Sequence, residues 1–283
     1  MERRPLGKTG QELSIVGFGG IVVMNVEPAE ASRLVAEAVD RGVNYFDVAP
    51  SYGNAEERLG PALAPYRDRV FLACKTGKRD KAEAARELRE SLQRLKTDHF
   101  DLYQLHALTA MEEMEQALGP GGAIEAFLEA REAGLIRYIG FSAHSAETAL
   151  AAMDRFAFDS VLFPTNFVLY YQANFGPQVV ERAQQKGVGR LALKAMARTH
   201  WAEGQARTFR KTWYEPIADP EEAALALRFT LSQPITAAIP PGEAELFRLA
   251  LDVAQRFRPL APEEADELRR RAGALQPIFR LAA

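Results

Sequence analysis

Three ionisable residues each close a short apolar run. Asp47 ends Val43-Asn44-Tyr45-Phe46-Asp47, Lys75 ends Phe71-Leu72-Ala73-Cys74-Lys75, and His106 ends Leu102-Tyr103-Gln104-Leu105-His106. Tyr52 follows Asp47 in Ala49-Pro50-Ser51-Tyr52-Gly53. Singly, each has a plain structural reading: a strand-end carboxylate or ammonium is a solvated rim charge, a strand-end imidazole is a satisfied hydrogen-bonder, and a loop phenol packs. Together, on three successive runs, they form a set with a chemical use. A buried ion pair is costly unless well hydrogen-bonded, so retaining one beside a phenol points to function. A phenol, with a pKa near about 10, is a weak acid at neutral pH. An adjacent ammonium favours phenolate and lowers that value, and the carboxylate keeps the ammonium charged and in place. Such a tyrosine would protonate a carbonyl oxygen as hydride reaches the carbon, help typically worth about 10²–10⁴-fold. His106 would bind a substrate oxygen or assist the proton relay.

Positioning such a set requires strands that end side by side. Apolar runs recur at Ser14–Phe18, Val43–Asp47, Val70–Lys75, Phe100–His106, Ile136–Ser142, Val161–Asn166, Leu191–Lys194 and Ile235–Ile239, with amphipathic segments between them. That alternation predicts βα units and a parallel sheet. Asp80, three residues before Glu83, predicts a capped helix start whose Leu88, Leu92 and Leu95 share a face. Asp219-Pro220 gives a similar start with proline at the first helical position. Leu246, Leu249, Val253 and Phe257 form a further stripe, and Pro262-Glu263-Glu264 opens an extra C-terminal helix. The Arg3–Ser14 segment, with Gly7 and Gly10, predicts a β-hairpin plugging the barrel bottom. Gly17-Phe18-Gly19-Gly20 lacks the G-x-G-x-x-G spacing of an open dinucleotide-binding sheet, which favours a closed α/β (β/α)8 barrel. Active sites there lie at the C-terminal strand ends. Side chains alternate along a strand, so Asp47 shares a face with Tyr45 and Lys75 with Ala73, and Cys74 faces the helices. The stretch from Ala195 to Ala218, with Trp201, Trp213 and Tyr214, reads as one long irregular loop, and loops of that length are usually functional or disordered.

The bulk numbers limit the partners. The 283 residues are 47% apolar and 26% charged, with 35 basic and 38 acidic side chains, a balance that asks for neither nucleic acid nor an anionic membrane. One cysteine, Cys74, allows no internal disulfide. The N-terminus shows no secretory apolar core, and no apolar stretch approaches a transmembrane length. The expectation is a single cytoplasmic domain over residues 1–283, monomeric, acting on a small carbonyl compound.

Residues in this order resemble the aldo-keto reductase superfamily. Phe46-Asp47-Val48-Ala49-Pro50-Ser51-Tyr52-Gly53 is similar to its F-D-T-A-x-x-Y-G signature, Lys75-Thr76 to its strand-end lysine, and Asp101-Leu102-Tyr103-Gln104-Leu105-His106 to its D-L-x-x-x-H strand. Leu6-Gly7-Lys8-Thr9-Gly10 and Val16-Gly17-Phe18-Gly19-Gly20 resemble its N-terminal hairpin and first strand. The resemblance implies a (β/α)8 TIM barrel that reduces aldehydes or ketones, with Tyr52 as acid/base, Lys75 and Asp47 as its tuning pair and His106 orienting substrate.

It also implies an extended NADPH across the barrel mouth. Gly20 and Ile21 match positions near the nicotinamide, and Ser142, in Gly140-Phe141-Ser142, matches the serine that binds the carboxamide. The usual following asparagine is Ala143 here, then His144, and Asn166 falls where glutamine is common. Leu193 occupies the place of a ring-stacking tyrosine, within Leu193-Lys194-Ala195-Met196. Lys194 is the implied pyrophosphate contact, with Arg198 as a lesser candidate. At the adenosine end, Pro240, Gly242, Glu245 and Arg248 are the implied contacts. The segment is acidic where relatives carry basic residues, so NADH stays open as the cofactor. Arg248 is the candidate for the 2′-phosphate. Trp201, Trp213 and Tyr214 either line the pocket or pin the loop. His99 and His200 read as surface residues. Two other functions remain: a catalytically weak cofactor-sensing or scaffold barrel, and a Schiff-base enzyme built on Lys75.

Overall fold

A computed structural model describes residues 1–281, so the last two positions of the expected 1–283 domain lie outside the described residues. Twelve strands appear in chain order: β1 Arg3–Pro5, β2 Glu12–Ser14, β3 Phe18–Gly19, β4 Tyr45–Asp47, β5 Phe71–Thr76, β6 Phe100–Leu108, β7 Ile136–Ala143, β8 Ser160–Pro164, β9 Gly189–Leu193, β10 Ala197–His200, β11 Tyr214–Pro216 and β12 Ala237–Ile239. Eight of them form one parallel sheet in the order β12-β9-β8-β7-β6-β5-β4-β3. Its two edges meet where Val16 bridges Ala238, with Gly17 N donating to Ala238 O at 3.0 Å and Ala238 N to Ile15 O at 2.9 Å. This is the expected (β/α)8 barrel, and β1 and β2 pair as the expected N-terminal hairpin.

Strand alternation sorts the apolar side chains into two buried layers. Outward residues such as Phe46, Leu72, Tyr103, Ile139 and Ala192 pack under the helices, and Cys74 is among them. Inward residues Tyr45, Phe71, Ala73, Leu102, Leu162, Leu191 and Ala237 fill the barrel, and Leu6 and Leu13 of the hairpin join them from below. The barrel is therefore packed rather than hollow, and only its upper end is left for chemistry.

The helix signals operate as the residues dictate. Asp80 accepts from Ala82 N and Glu83 N at 2.8 and 3.1 Å, capping the helix Lys81–Leu95. Asp219 accepts from Glu222 N at 2.9 Å and caps Pro220–Ser232. The extra helix Pro262–Ala272 is tied to the barrel by Glu264, which takes a two-bond fork from Arg228 and a second from Arg258. Among the described residues, no helix is long and apolar enough to cross a membrane.

The segment read as one irregular loop is a short hairpin: β10 and β11 pair antiparallel, with residues 201–213 as its tip. Its strands are three and four residues long and carry a register shift between Ala197 and Thr199. No clear alternation of apolar and polar residues therefore marks them in the sequence.

Candidate active site

β4, β5 and β6 lie side by side, with Asp47 opposite Ala73 and Lys75 opposite Gln104. Their inward positions stack upward from the apolar plug, Tyr45 to Asp47, Ala73 to Lys75, Leu102 to Gln104. Lys75 Nζ pairs with Asp47 Oδ1. The other carboxylate oxygen, Oδ2, accepts from Tyr45 Oη and from Gln104 Nε2, each at 3.1 Å. Lys75 is 0% exposed and Asp47 2%, so the pair is dry and survives because all its partners are present. Lys75 Nζ also donates to Tyr52 Oη at 3.4 Å. Tyr52 stands over the pair, its ring edge-on to His106 at 5.6 Å between centroids. Thus the four residues singled out by type and spacing converge at the barrel mouth.

The electrostatics differ in one respect from the sequence expectation. Burial opposes the charge of Lys75, but Asp47 and then Tyr52 outweigh it and hold the ammonium above its usual pKa. For Tyr52 the largest influence is also burial, which raises the phenol. Lys75 pulls it down only in part, and the net direction is up. The expected lowering is present as a component and is outweighed, because removing water penalises phenolate more than one shared ammonium favours it. His106 is pushed down to about 3, first by burial and then by Lys75, His144, Arg79 and Lys194. Its ring is neutral at physiological pH and lies 3.4 Å from Ser51 Oγ through Nδ1.

A cavity of about 260 Å³ opens above these groups, lined by Tyr52, Lys75 and His106 together with Ile21, Ser142, Leu193, Lys194, Pro240 and Gly242 from the expected cofactor set. Ser142 Oγ accepts from Ala107 N at 2.7 Å, which leaves its own proton free to donate. Burial pushes Lys194 down to about 8. Its ammonium faces the rings of Tyr214 and Trp213, at 4.8 and 5.3 Å. Its φ of 68° is left-handed, so its backbone turns sharply at the end of β9.

Seven expected cofactor residues, the lesser candidate Arg198 among them, lie outside this lining. Gly20 is buried against Val48, where a Cβ would collide. Asn166 spends its amide locally: Oδ1 accepts from Leu169 N at 2.9 Å, capping the helix Phe167–Ala173, and Nδ2 donates to Lys194 O at 3.1 Å. Ala195 and Met196 are fully buried. Glu245 is exposed on the first turn of the helix Ala244–Gln255. Arg248, on that helix, is engaged side-on with Glu37 at 2.9–3.1 Å. Arg198 pairs with Glu215 at 3.7 Å.

Other lining residues had no signal of their own in the sequence. His144 is one, pushed down to about 4 by burial and then Lys194. Lys211 is another, donating to Val22 O at 2.9 Å while its backbone N bonds Glu243 Oε1 at 2.8 Å, so the hairpin tip is tied across the mouth. Trp213 and Tyr214 line the cavity, whereas Trp201 pins the tip through Nε1 to Thr212 O at 3.1 Å. His200 is exposed, and His99 is partly exposed beside Asp98. Asp101 lies at the opposite, lower end of β6, gripped by Arg67 and Arg137, a place that reads as stability rather than chemistry.

The sequence profile of the Aldo/keto reductase family matches residues 16–265. The chain is 39% identical over 87 residues to L-galactose dehydrogenase of Arabidopsis thaliana, covering 28% of this chain and 27% of that one. It is 35% identical over 83 residues to pyridoxal 4-dehydrogenase of Microbacterium luteolum, covering 27% and 24%. These matches span about a quarter of the length of the curated relatives. An aldo-keto reductase of Bacillus halodurans, solved in its holo form, shares the fold with a TM-score of 0.76 over 99% of both chains at 24% identity.

Proposed function

The chain belongs to the aldo/keto reductase family, and from that premise we propose that it reduces the carbonyl of a small molecule with a reduced nicotinamide cofactor, Tyr52 acting as the general acid. The observation that carries the reading is a phenol hydrogen-bonded to a dry lysine–aspartate pair at the mouth of a packed barrel, with a neutral histidine against its ring. The upper cavity suits the cofactor's chemistry. Ser142 offers a free hydroxyl proton, Gly242 presents no side chain, and Lys194 is a half-buried ammonium with no carboxylate partner among the described residues, fitted to a carboxamide and a phosphate.

When bound, the cofactor supplies hydride to the carbonyl carbon. Everything else falls to this chain. His106, neutral and beside Tyr52, donates to the carbonyl oxygen and fixes its place. As negative charge builds on that oxygen, Tyr52 passes it the Oη proton, and the charge left on the phenol faces the Lys75 ammonium. Tyr45 and Gln104 hold Asp47, which holds Lys75, so no group need reorganise as charge moves. Lys75, kept charged by Asp47, is a poor amine nucleophile, which weighs against a Schiff-base role.

The small cavity favours unhindered carbonyls. Aldehydes should turn over faster than matched ketones, and equal rates would contradict this. On the cofactor, Arg248 is already occupied by Glu37, so NADPH is accepted but only weakly preferred to NADH. We place this barrel in the cytoplasm as a monomer; its lone cysteine, Cys74, is buried. The test is a titration with NADPH and with NADH by tryptophan fluorescence, followed by addition of an aldehyde while the reduced nicotinamide absorbance is recorded. Binding and then loss of absorbance supports the proposal. Failure of a folded protein to bind either cofactor overturns it.

A further inference from the structure

His106 sits on an irregular piece of β6. Leu105 faces Phe141 on β7, but the next paired residue is Leu108, which faces Ala143. Three steps along β6 thus match two along β7. Ala107 absorbs the difference with a φ of 54°, in the left-handed region that residues carrying a Cβ seldom adopt. Bulges of this kind re-aim side chains beside active sites, and strained backbone persists only where surrounding contacts over-determine it.

Two side chains supply those contacts. Ser142 Oγ takes the Ala107 N–H at 2.7 Å. Arg79, from the segment after β5, donates through Nη2 to His106 O at 2.7 Å and reaches Ala107 O at 3.5 Å. Its own backbone is fixed by Ala123 N, which donates to Arg79 O at 2.8 Å. This arginine side chain is only 11% exposed, with its nearest carboxylate, Glu113, at 3.8 Å. Its Nε and Nη1 are buried without a partner among the described residues. A desolvated guanidinium with three of its five N–H donors idle is costly, and the two carbonyls of the bulge are what its one engaged nitrogen holds.

We propose that Arg79 is a positioning residue: by clamping the His106–Ala107 bulge it sets the His106 ring and the Ser142 hydroxyl together, linking the substrate side of the site to the cofactor side. The catalytic consequence rests on the reductase reading, whereas the structural one does not. The chain has four histidines, so ring-proton NMR resolves the effect directly. In Arg79→Met the His106 resonance should shift and broaden while those of His99 and His200 stay. Ala107→Val leaves Arg79 intact but forces a β-branched residue into the left-handed turn, and it should move the same resonance. An unmoved His106 signal in either folded variant overturns the clamp, whether or not the protein turns over a substrate.

Kinetics give the second arm. Arg79→Met should lower kcat/KM for an aldehyde on the order of 10²-fold, the scale expected for about 1 Å of misplacement, with Arg79→Lys recovering part of the loss. In a His106→Ala background the same change should add less than about threefold, because the two act as one unit. Independent, multiplicative losses would overturn the proposal. An inactive wild type would instead contradict the reductase reading, and the NMR arm would still decide the clamp.

Discussion

Asp47 receives donors from three side chains: Lys75 on one oxygen, Tyr45 and Gln104 on the other. That arrangement decides how the site responds to pH. Tyr52 and Lys75 both have pKa values raised above their ordinary ones, so the proton needed for reduction stays on the phenol through neutral and mildly alkaline pH. The reduction rate should therefore be flat there and fall only beyond the ordinary phenol range near about 10. A rate limb between pH 6 and 8 on the order of a full log unit, measured at saturating cofactor and substrate, would contradict the assignment. At this scale the sequence was highly legible for the charged groups, since Asp47, Lys75 and His106 each end an apolar run. It was silent on Tyr45 and Gln104, which look like ordinary core residues until the register brings them to Asp47. It also misjudged Tyr52's direction of shift, because the extent of burial is a property of the whole mouth and not of neighbouring charges.

The proposed cofactor preference is decided by the packing of two helices. The helix Ala244–Gln255 presents Arg248 toward the helix Pro28–Asp40, and Glu37 captures its guanidinium with three bonds of 2.9–3.1 Å. Replacing Glu37 with alanine frees that arginine for a 2′-phosphate. The NADPH-over-NADH ratio of kcat/KM should then rise on the order of tenfold, the scale of one charge-assisted contact. An unchanged ratio would show that the freed Arg248 does not reach the 2′-phosphate. Helix periodicity placed Arg248 on the right helix but did not show its partner, which lies 211 positions away in sequence. Asn166 is a similar case: its position fitted a carboxamide contact, but Leu169 N and Lys194 O already use its amide. The eight barrel strands were readable because each falls in or beside a short, mostly apolar segment set between amphipathic ones. The β10–β11 hairpin was not, because its strands are short and one is bulged.

The whole molecule holds two half-buried, neutral histidines at the barrel mouth, His106 at about 3 and His144 at about 4, both displaced from 6.5 chiefly by loss of solvent. The unfolded chain takes up these protons near its ordinary value, and the folded chain does not until the pH is much lower. Folding stability is therefore full above about 6.5 and lost as pH falls toward 4 and then 3. Denaturant midpoints measured across that window should fall less steeply for His144→Gln than for the wild type, and parallel curves would contradict this. Proton delivery from Tyr52 is best tested by steady-state reduction of an aldehyde by Tyr52→Phe, beside fluorescence titration of its cofactor affinity. Tyr52→Phe should lose about 10²–10⁴-fold in kcat with cofactor affinity unchanged, and turnover within a few-fold of wild type would rule out Tyr52 as the acid.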